Sequence, residues 1–164
     1  LEQSLYLWAP WRMDYIRSKK DECFLCEALA SSDDKKALIL FRGEFSAIIM
    51  NKYPYSCGHL MVIPNRHTDD MLSLDANELN EINLLTNKCI RALKKAFSPS
   101  GFNIGYNIGE SAGAGLAAHL HRHILPRHRN DANFITTLGG TRVIPQMLED
   151  QYDKLFPLIN DDNA

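Results

Sequence analysis

A chain of 164 residues with 45% hydrophobic content and no long Gly, Ser or Pro tract has the size for one sizeable core. A single domain over 1–164 is expected, with its core at about 23–127 and N- and C-terminal extensions. The formal charge of −2, from 18 Lys and Arg against 20 Asp and Glu, supplies no broad basic field; a nucleic-acid polymer is not the expected partner, while nucleotides stay open.

No run reaches the roughly 20 apolar residues of a membrane span. The segment with Trp8, Pro10, Trp11 and Arg12 lacks the apolar region of a signal peptide, so a cytoplasmic protein without a membrane partner is expected. In chain order, 24–31 suits a short helix, closed by the polar stretch Ser31-Ser32-Asp33-Asp34-Lys35-Lys36. Apolar runs at 37–41 and 45–50, separated by Arg42-Gly43-Glu44, predict a β-hairpin, and 58–63 a third strand ending at Pro64.

Between Asp75 and Phe97, Leu79, Ile82, Leu85, Cys89, Leu93 and Phe97 recur at steps of three and four, and Asp75 and Glu78 are spaced as a capping box. This is the strongest helix signal. Two strands are predicted at 102–108 and 119–125, joined by a connection containing Gly109, Gly113 and Gly115. A weakly patterned helix over 145–156 should be stopped by Pro157. The fold class that follows is α+β: an antiparallel sheet of about five strands with one long and one or more short helices.

Four cysteines in a chain this long do not make a disulfide scaffold. Cys23-Phe24-Leu25-Cys26 has the spacing of a two-thiolate metal knuckle, and tetrahedral zinc would want two more sulfur or imidazole ligands. Buried apolar packing and a redox pair are the alternatives. Cys57 and Cys89 read as structural, Cys89 lying on the apolar stripe of the long helix.

The chemical centre is the run His119-Leu120-His121-Arg122-His123. Strand side chains alternate, so His119, His121 and His123 share one face while Leu120, Arg122 and Ile124 take the other. Core packing explains one such histidine, not three. Three neutral imidazoles suit either a catalytic zinc with an open position or a nucleophilic ring nitrogen attacking phosphorus, its other nitrogen held by an acceptor. Upstream, Asn107-Ile108-Gly109-Glu110-Ser111-Ala112-Gly113-Ala114-Gly115 can present amide donors to phosphate oxygens, which favours the second chemistry. Taken singly, each glycine is better explained as part of an ordinary tight connection.

His-Leu-His-Arg-His-Ile-Leu resembles the motif His-φ-His-φ-His-φ-φ (φ apolar) of the histidine triad superfamily, and Gly58-His59-Leu60-Met61-Val62-Ile63-Pro64 with His67 resembles its preceding strand. Trp8-Ala9-Pro10-Trp11-Arg12 and Gly139-Gly140-Thr141-Arg142-Val143-Ile144-Pro145 are similar to the branch that contains diadenosine tetraphosphate phosphorylases. The resemblance implies a histidine-triad fold and nucleotidyl transfer on dinucleoside polyphosphates, with water or phosphate as acceptor. It makes His121 the nucleophile, oriented by a backbone carbonyl. It places His123 at phosphate or leaving-group oxygens and His119 and His59 in the same catalytic group. Asn51, Asn107, Ser111, Gly113 and Gly115 are the candidate substrate contacts. It further implies a structural zinc on Cys23, Cys26, His67 and His119, no organic cofactor, and a homodimer or higher homo-oligomer.

Two departures stand out. Arg122 occupies a position the motif gives to an apolar residue, and an acidic partner, a subunit contact or exposure is expected there. Ala114-Gly115-Leu116 stands where many relatives have Gly-Gln-Ser or Gly-Gln-Thr, which favours the phosphorylase-like branch over the nucleoside phosphoramidase branch. The rival of another class is a regulatory module that binds AMP-like nucleotides with little catalysis. Trp8, Trp11 and Arg12 suit either a base or subunit contact or a packed tail.

Overall fold

The computed structural model describes residues 23–129, 131 and 146–161. The terminal motifs at 8–12 and 139–145 lie outside the described residues. Among the described residues four α-helices follow in chain order: α1 (Phe24–Ala30), α2 (Asp34–Ala37), α3 (Ala76–Phe97) and α4 (Leu148–Ile159). The strands are β1 (Ile39–Arg42), β2 (Ser46–Met50), β3 (Leu60–Pro64), β4 (Gly101–Tyr106) and β5 (Arg122–Arg127). They form one antiparallel sheet in the order β1-β2-β3-β5-β4. This is the expected α+β architecture.

The sheet divides two apolar clusters. On one face Leu40, Ile48, Leu60, Val62 and Ile124 pack with α3 and α4 through Ile82, Leu85, Cys89, Leu93, Tyr152 and Leu155. On the other, Ala47, Ile49, Met61 and Ile63 pack with Leu25 of α1. Because opposed residues share a face in antiparallel pairing, the pair Met61 and His123 belongs to the α1 face, and Val62 and Arg122 to the α3 face.

Helix α3 begins as its sequence requires: Asp75 accepts from the Asn77 and Glu78 amides, and the Glu78 carboxylate returns to the Asp75 N–H at 2.8 Å. Leu79 alone of the predicted stripe is exposed, at 36%. The β1–β2 hairpin is braced from α3, where Glu81 accepts from the backbone amides of Glu44 at 2.9 Å and Phe45 at 2.7 Å.

Several boundaries differ from the sequence expectation, each for a local reason. Ala37 ends α2, and Leu38 turns the chain in a left-handed conformation (φ 62°) before β1 starts. The third strand starts at Leu60 instead of Gly58, because Gly58 sits at φ 76°, where a side chain would be strained. Its N–H bonds the buried Gln151 side chain at 2.7 Å. The fourth strand covers 101–106, ending before Ile108.

The last strand begins at Arg122 instead of His119, since the Leu120 N–H goes to the Thr68 carbonyl at 2.7 Å, outside the ladder. Pro157 lies inside α4. In the last turn it removes only one backbone bond, while buried Leu155 and Ile159 anchor the helix and Asn160 donates to the Leu40 and Phe156 carbonyls, each at 2.9 Å.

Candidate active site

His119, His121 and His123 are all buried on the α1 face of the sheet, while Leu120 joins the α3 core beside Ile124. The alternation holds even though the first two histidines precede the ladder. That placement has a chemical consequence. The His119 carbonyl accepts from His121 Nδ1 at 2.8 Å, so Nδ1 carries the proton and the Nε2 of His121 carries the lone pair.

The neighbouring imidazoles form a second, ordered chain. The backbone N–H of Tyr55 donates to His59 Nδ1 at 3.1 Å, and Asn51 Nδ2 lies 3.2 Å from the same atom. The Asn51 amide is oriented by its oxygen, which accepts from the Tyr53 N–H at 2.9 Å. With Nδ1 an acceptor, His59 Nε2 holds the proton and donates to His123 Nδ1 at 2.9 Å. His123 is then protonated on Nε2, and that atom is buried without a partner among the described residues. A buried donor without a partner is costly unless a ligand or water meets it.

Burial lowers the proton affinity of His121, and it pushes His123 down to about 4 and His59, with help from the charges of His123 and His121, down to about 3. All three rings are neutral at pH 7. A neutral His121 is a nucleophile and a neutral His123 is a hydrogen-bond donor. In the unfolded chain both His59 and His123 return to the usual value near 6.5. The unfolded state therefore binds more protons below that pH, and the stability held above pH 6.5 is lost as the pH falls toward 4 and 3. Thermal melts should show a midpoint that drops steadily from pH 6.5 to 4; a midpoint flat over that range would contradict neutral buried rings.

A cleft of about 240 Å³ opens against His123, lined also by Tyr55, Asn103, Gly105 and Asn107. The Tyr55 ring stands 4.7 Å from the His59 ring and 5.8 Å from His123. Of the predicted substrate contacts, Asn107 reaches this cleft, whereas Asn51 is buried and bonded to His59 and Tyr53. Ser111 and Gly115 are exposed in the preceding loop. Gly113 turns that loop at φ 81°, its N–H closing onto the Glu110 carbonyl at 2.9 Å.

A second cluster adjoins the first. The donor atoms of Cys23, Cys26, His67 and His119 all lie within 4.8 Å of one another. Cys23 Sγ is 3.3 Å from His119 Nδ1, Cys26 Sγ is 3.2 Å from His67 Nδ1, and Cys26 Sγ is 3.5 Å from His119 Nδ1. Four tetrahedral ligands around one ion sit roughly 3.5 Å apart, so these residues fit a metal.

The far nitrogen of His119 supports that fit. Its Nε2–H donates to the Pro64 carbonyl at 2.9 Å, turning the Nδ1 lone pair toward the thiols. Burial and the adjacent Cys23 raise the Cys26 thiol to about 11, so a bound metal would displace its proton. The three triad rings do not form such a set, because both nitrogens of His119 are turned elsewhere, Nε2 to the Pro64 carbonyl and Nδ1 to the thiols.

Arg122 faces α3 as the alternation required, but the acidic partner considered for it is replaced by neutral acceptors: Asn83 Oδ1 at 2.7 Å and Thr86 Oγ1 at 3.2 Å, with its guanidinium 5.1 Å from the Tyr106 ring. The site also recruits groups the sequence did not single out, namely the Tyr55 amide and ring and the Pro64 carbonyl. Main-chain atoms carry no residue signature, so no motif search could find them.

The HIT domain family model matches residues 32–130. The chain is 40% identical over 158 residues to the AP-4-A phosphorylase of Mycobacterium tuberculosis, covering 91% of this chain and 81% of that one. It is 34% identical over 93 residues to the asymmetrical bis(5'-nucleosyl)-tetraphosphatase of Schizosaccharomyces pombe, covering 57% and 50%. Among solved structures, a zinc-bound histidine triad family protein from Mycobacterium smegmatis superposes with a TM-score of 0.67 at 22% identity, covering 86% of this chain and 95% of that one. A hypothetical histidine triad nucleotide-binding protein from Sulfolobus tokodaii gives 0.63 at 29% identity, covering 84% and 89%. With the matched model spanning more than half its length and carrying all three triad histidines, the chain belongs to the HIT domain family.

Proposed function

We propose that the protein is a nucleotidyl-transferring enzyme that cleaves dinucleoside polyphosphates through an intermediate on His121. The observation that carries this reading is the complementary tautomers of two adjacent rings. His121 offers a lone pair on Nε2, and His123, with its ring centroid 4.8 Å away, offers an N–H that has no protein partner.

In the first step His121 Nε2 forms a bond to the α-phosphorus while the bridging P–O bond breaks. The leaving polyphosphate takes the electron pair and is hydrogen-bonded by His123 Nε2–H. The His119 carbonyl holds the Nδ1 proton and favours the cation that develops on His121. In the second step an oxygen of inorganic phosphate attacks the same phosphorus and the P–N bond breaks. Asn107, Ser111 and Gly115 serve the phosphate oxygens, and Gly113 shapes the loop that presents them.

The metal is zinc in this reading, on Cys23, Cys26, His67 and His119. Bound there, it supplies a closed structural crosslink. The chain's own part is to deliver two ligands from the start of α1, one from the segment after β3, and one from the entry to β5, next to the nucleophile.

Phosphate is proposed as acceptor because the relative at 40% identity is named a phosphorylase. Diadenosine tetraphosphate incubated with inorganic phosphate should yield ADP plus ATP, at a rate that depends on phosphate. AMP plus ATP, formed alike with and without phosphate, would make water the acceptor. Binding of AMP with no cleavage of any dinucleoside polyphosphate would leave the regulatory-module reading standing instead.

A further inference from the structure

We propose that Gln151, on the C-terminal helix α4, is a positioning residue that tethers the 51–59 loop and so holds Tyr55 and His59 against the triad. The HIT domain model ends its match at residue 130, so α4 is an addition to the matched segment, and through Gln151 that addition reaches the site. The catalytic consequence rests on the functional reading above; the tether itself stands on geometry.

The 51–59 loop joins β2 to β3, and its inner bonds converge on its last residue. The His59 N–H donates to the Ser56 carbonyl at 3.2 Å, the Tyr55 N–H donates to His59 Nδ1 at 3.1 Å, and the Tyr55 ring lines the cleft. Gly58, one residue before His59, is where this loop meets the body of the fold. It is buried, and a Cβ added there would stand 2.9 Å from Leu93 Cδ2 and 3.1 Å from the Phe97 ring, so its backbone lies flat against α3. A buried N–H needs an acceptor. Gln151 Oε1 is that acceptor, at 2.7 Å.

The acceptor is held in its orientation. Gln151 is 1% exposed, and its Nε2 donates to the Gln146 carbonyl at 2.9 Å, which leaves the oxygen facing Gly58. Gln146 in turn accepts from the Cys57 thiol through its own Oε1, at 3.3 Å. Two consecutive loop residues are thus tied to the start of α4, while Tyr152, Leu155 and Ile159 bury that helix in the core. Without the Gln151 oxygen the Gly58 N–H would be buried and unpaired, and the loop would have to shift to bring it to water. Such a shift carries His59 away from His123 and Tyr55 away from the cleft.

Hydrogen exchange of the intact, metal-loaded protein at pH 7 reads the tether directly. The Gly58 amide should be protected in the wild type and exchange at least about 100-fold faster in Gln151→Leu, while the amides of the β2–β3 ladder keep their protection. A Gly58 amide unprotected in the wild type overturns the proposal. A second arm needs no variant: bound AMP should slow exchange at Gly58 more than in the ladder, because a tether that aids binding is itself strengthened by binding. Exchange at Gly58 unmoved by bound AMP overturns the link to the site.

Kinetics on variants whose thermal melts establish folding complete the test. Gln151→Leu should lower kcat/KM for diadenosine tetraphosphate about tenfold. Gln151→Glu keeps an oxygen for Gly58 and should stay within about threefold of wild type; an equal loss in both variants overturns the role of that oxygen. Tyr152→Phe is the structural control, since it removes a bond that α4 makes to the Ile39 carbonyl of β1 and not to the loop. It should lower the melting temperature and leave kcat and KM unchanged. Wild-type kcat/KM in Gln151→Leu, or the same kinetic loss in Tyr152→Phe, would reduce α4 to packing and overturn the proposal. If the exchange pattern is as expected but no nucleotidyl substrate is turned over, the functional reading fails and the tether stands.

Discussion

Replacing His121 with asparagine is expected to abolish turnover of diadenosine tetraphosphate, lowering kcat by at least roughly 10⁴-fold, while nucleotide binding and the melting temperature stay near wild type. The size of the effect follows from the site's division of labour. His121 is the ring whose Nδ1 is tied to the His119 carbonyl at 2.8 Å and whose Nε2 holds a lone pair. His59 and His123 have their Nδ1 lone pairs engaged and present protons at Nε2. Neither can take over the attack. Asparagine is close to imidazole in reach, and its NH2 can keep the bond to the His119 carbonyl, so the pocket should persist. Rapid-quench trapping of a phosphoramidate-linked nucleotide in the wild type, absent in H121N, would complete the assignment. Wild-type rates in H121N would remove His121 from the nucleophile's role.

Zinc removal is expected to be the largest effect on stability. Purified protein should carry stoichiometric zinc by elemental analysis, and excess chelator should lower the melting temperature by about 10 °C. A ligand present at about 1,000 times its dissociation constant contributes roughly 4 kcal/mol, and each kcal/mol corresponds to about 2–4 °C for a domain of this size. Cys26→Ser should reproduce the loss, because Cys26 Sγ lies within 3.5 Å of both His67 Nδ1 and His119 Nδ1.

Turnover should decline only as structure is lost. The physical reason is that His119 serves two centres: its ring belongs to the cluster of Cys23, Cys26, His67 and His119, and its carbonyl holds His121. Immediate loss of activity in chelator with an unchanged melt would point to a catalytic metal and would sink the structural assignment.

The alternation of His119, Leu120, His121, Arg122 and His123 was legible in the sequence because side-chain period survives even where the ladder does not begin until Arg122. The capping box at Asp75 and Glu78 and the amphipathic run of α3 were legible for the same reason: they are local, and their partners lie within one turn. The Cys23 and Cys26 spacing could be read from the sequence, family resemblance pointed to His67 and His119, and the fold brings the four donor atoms within 4.8 Å of one another. Cys89 was correctly placed on the buried stripe.

What escaped the sequence was contact between distant segments and backbone atoms. Pro157 reads as a helix stop, yet burial of Leu155 and Ile159 against the sheet outweighs one lost bond. Arg122 reads as a charge needing an acid, a subunit contact or exposure, yet α3 brings the neutral acceptors Asn83 and Thr86 to it. The histidine motif itself names three imidazoles and says nothing of where each proton resides. That was decided by the fold, which sets the His119 carbonyl against His121 and the Tyr55 amide and Asn51 against His59. Composition and periodicity specify which side chains face the site; only tertiary hydrogen bonding, assembled largely from main-chain groups without residue identity, decides which nitrogen of each ring carries a proton and which a lone pair.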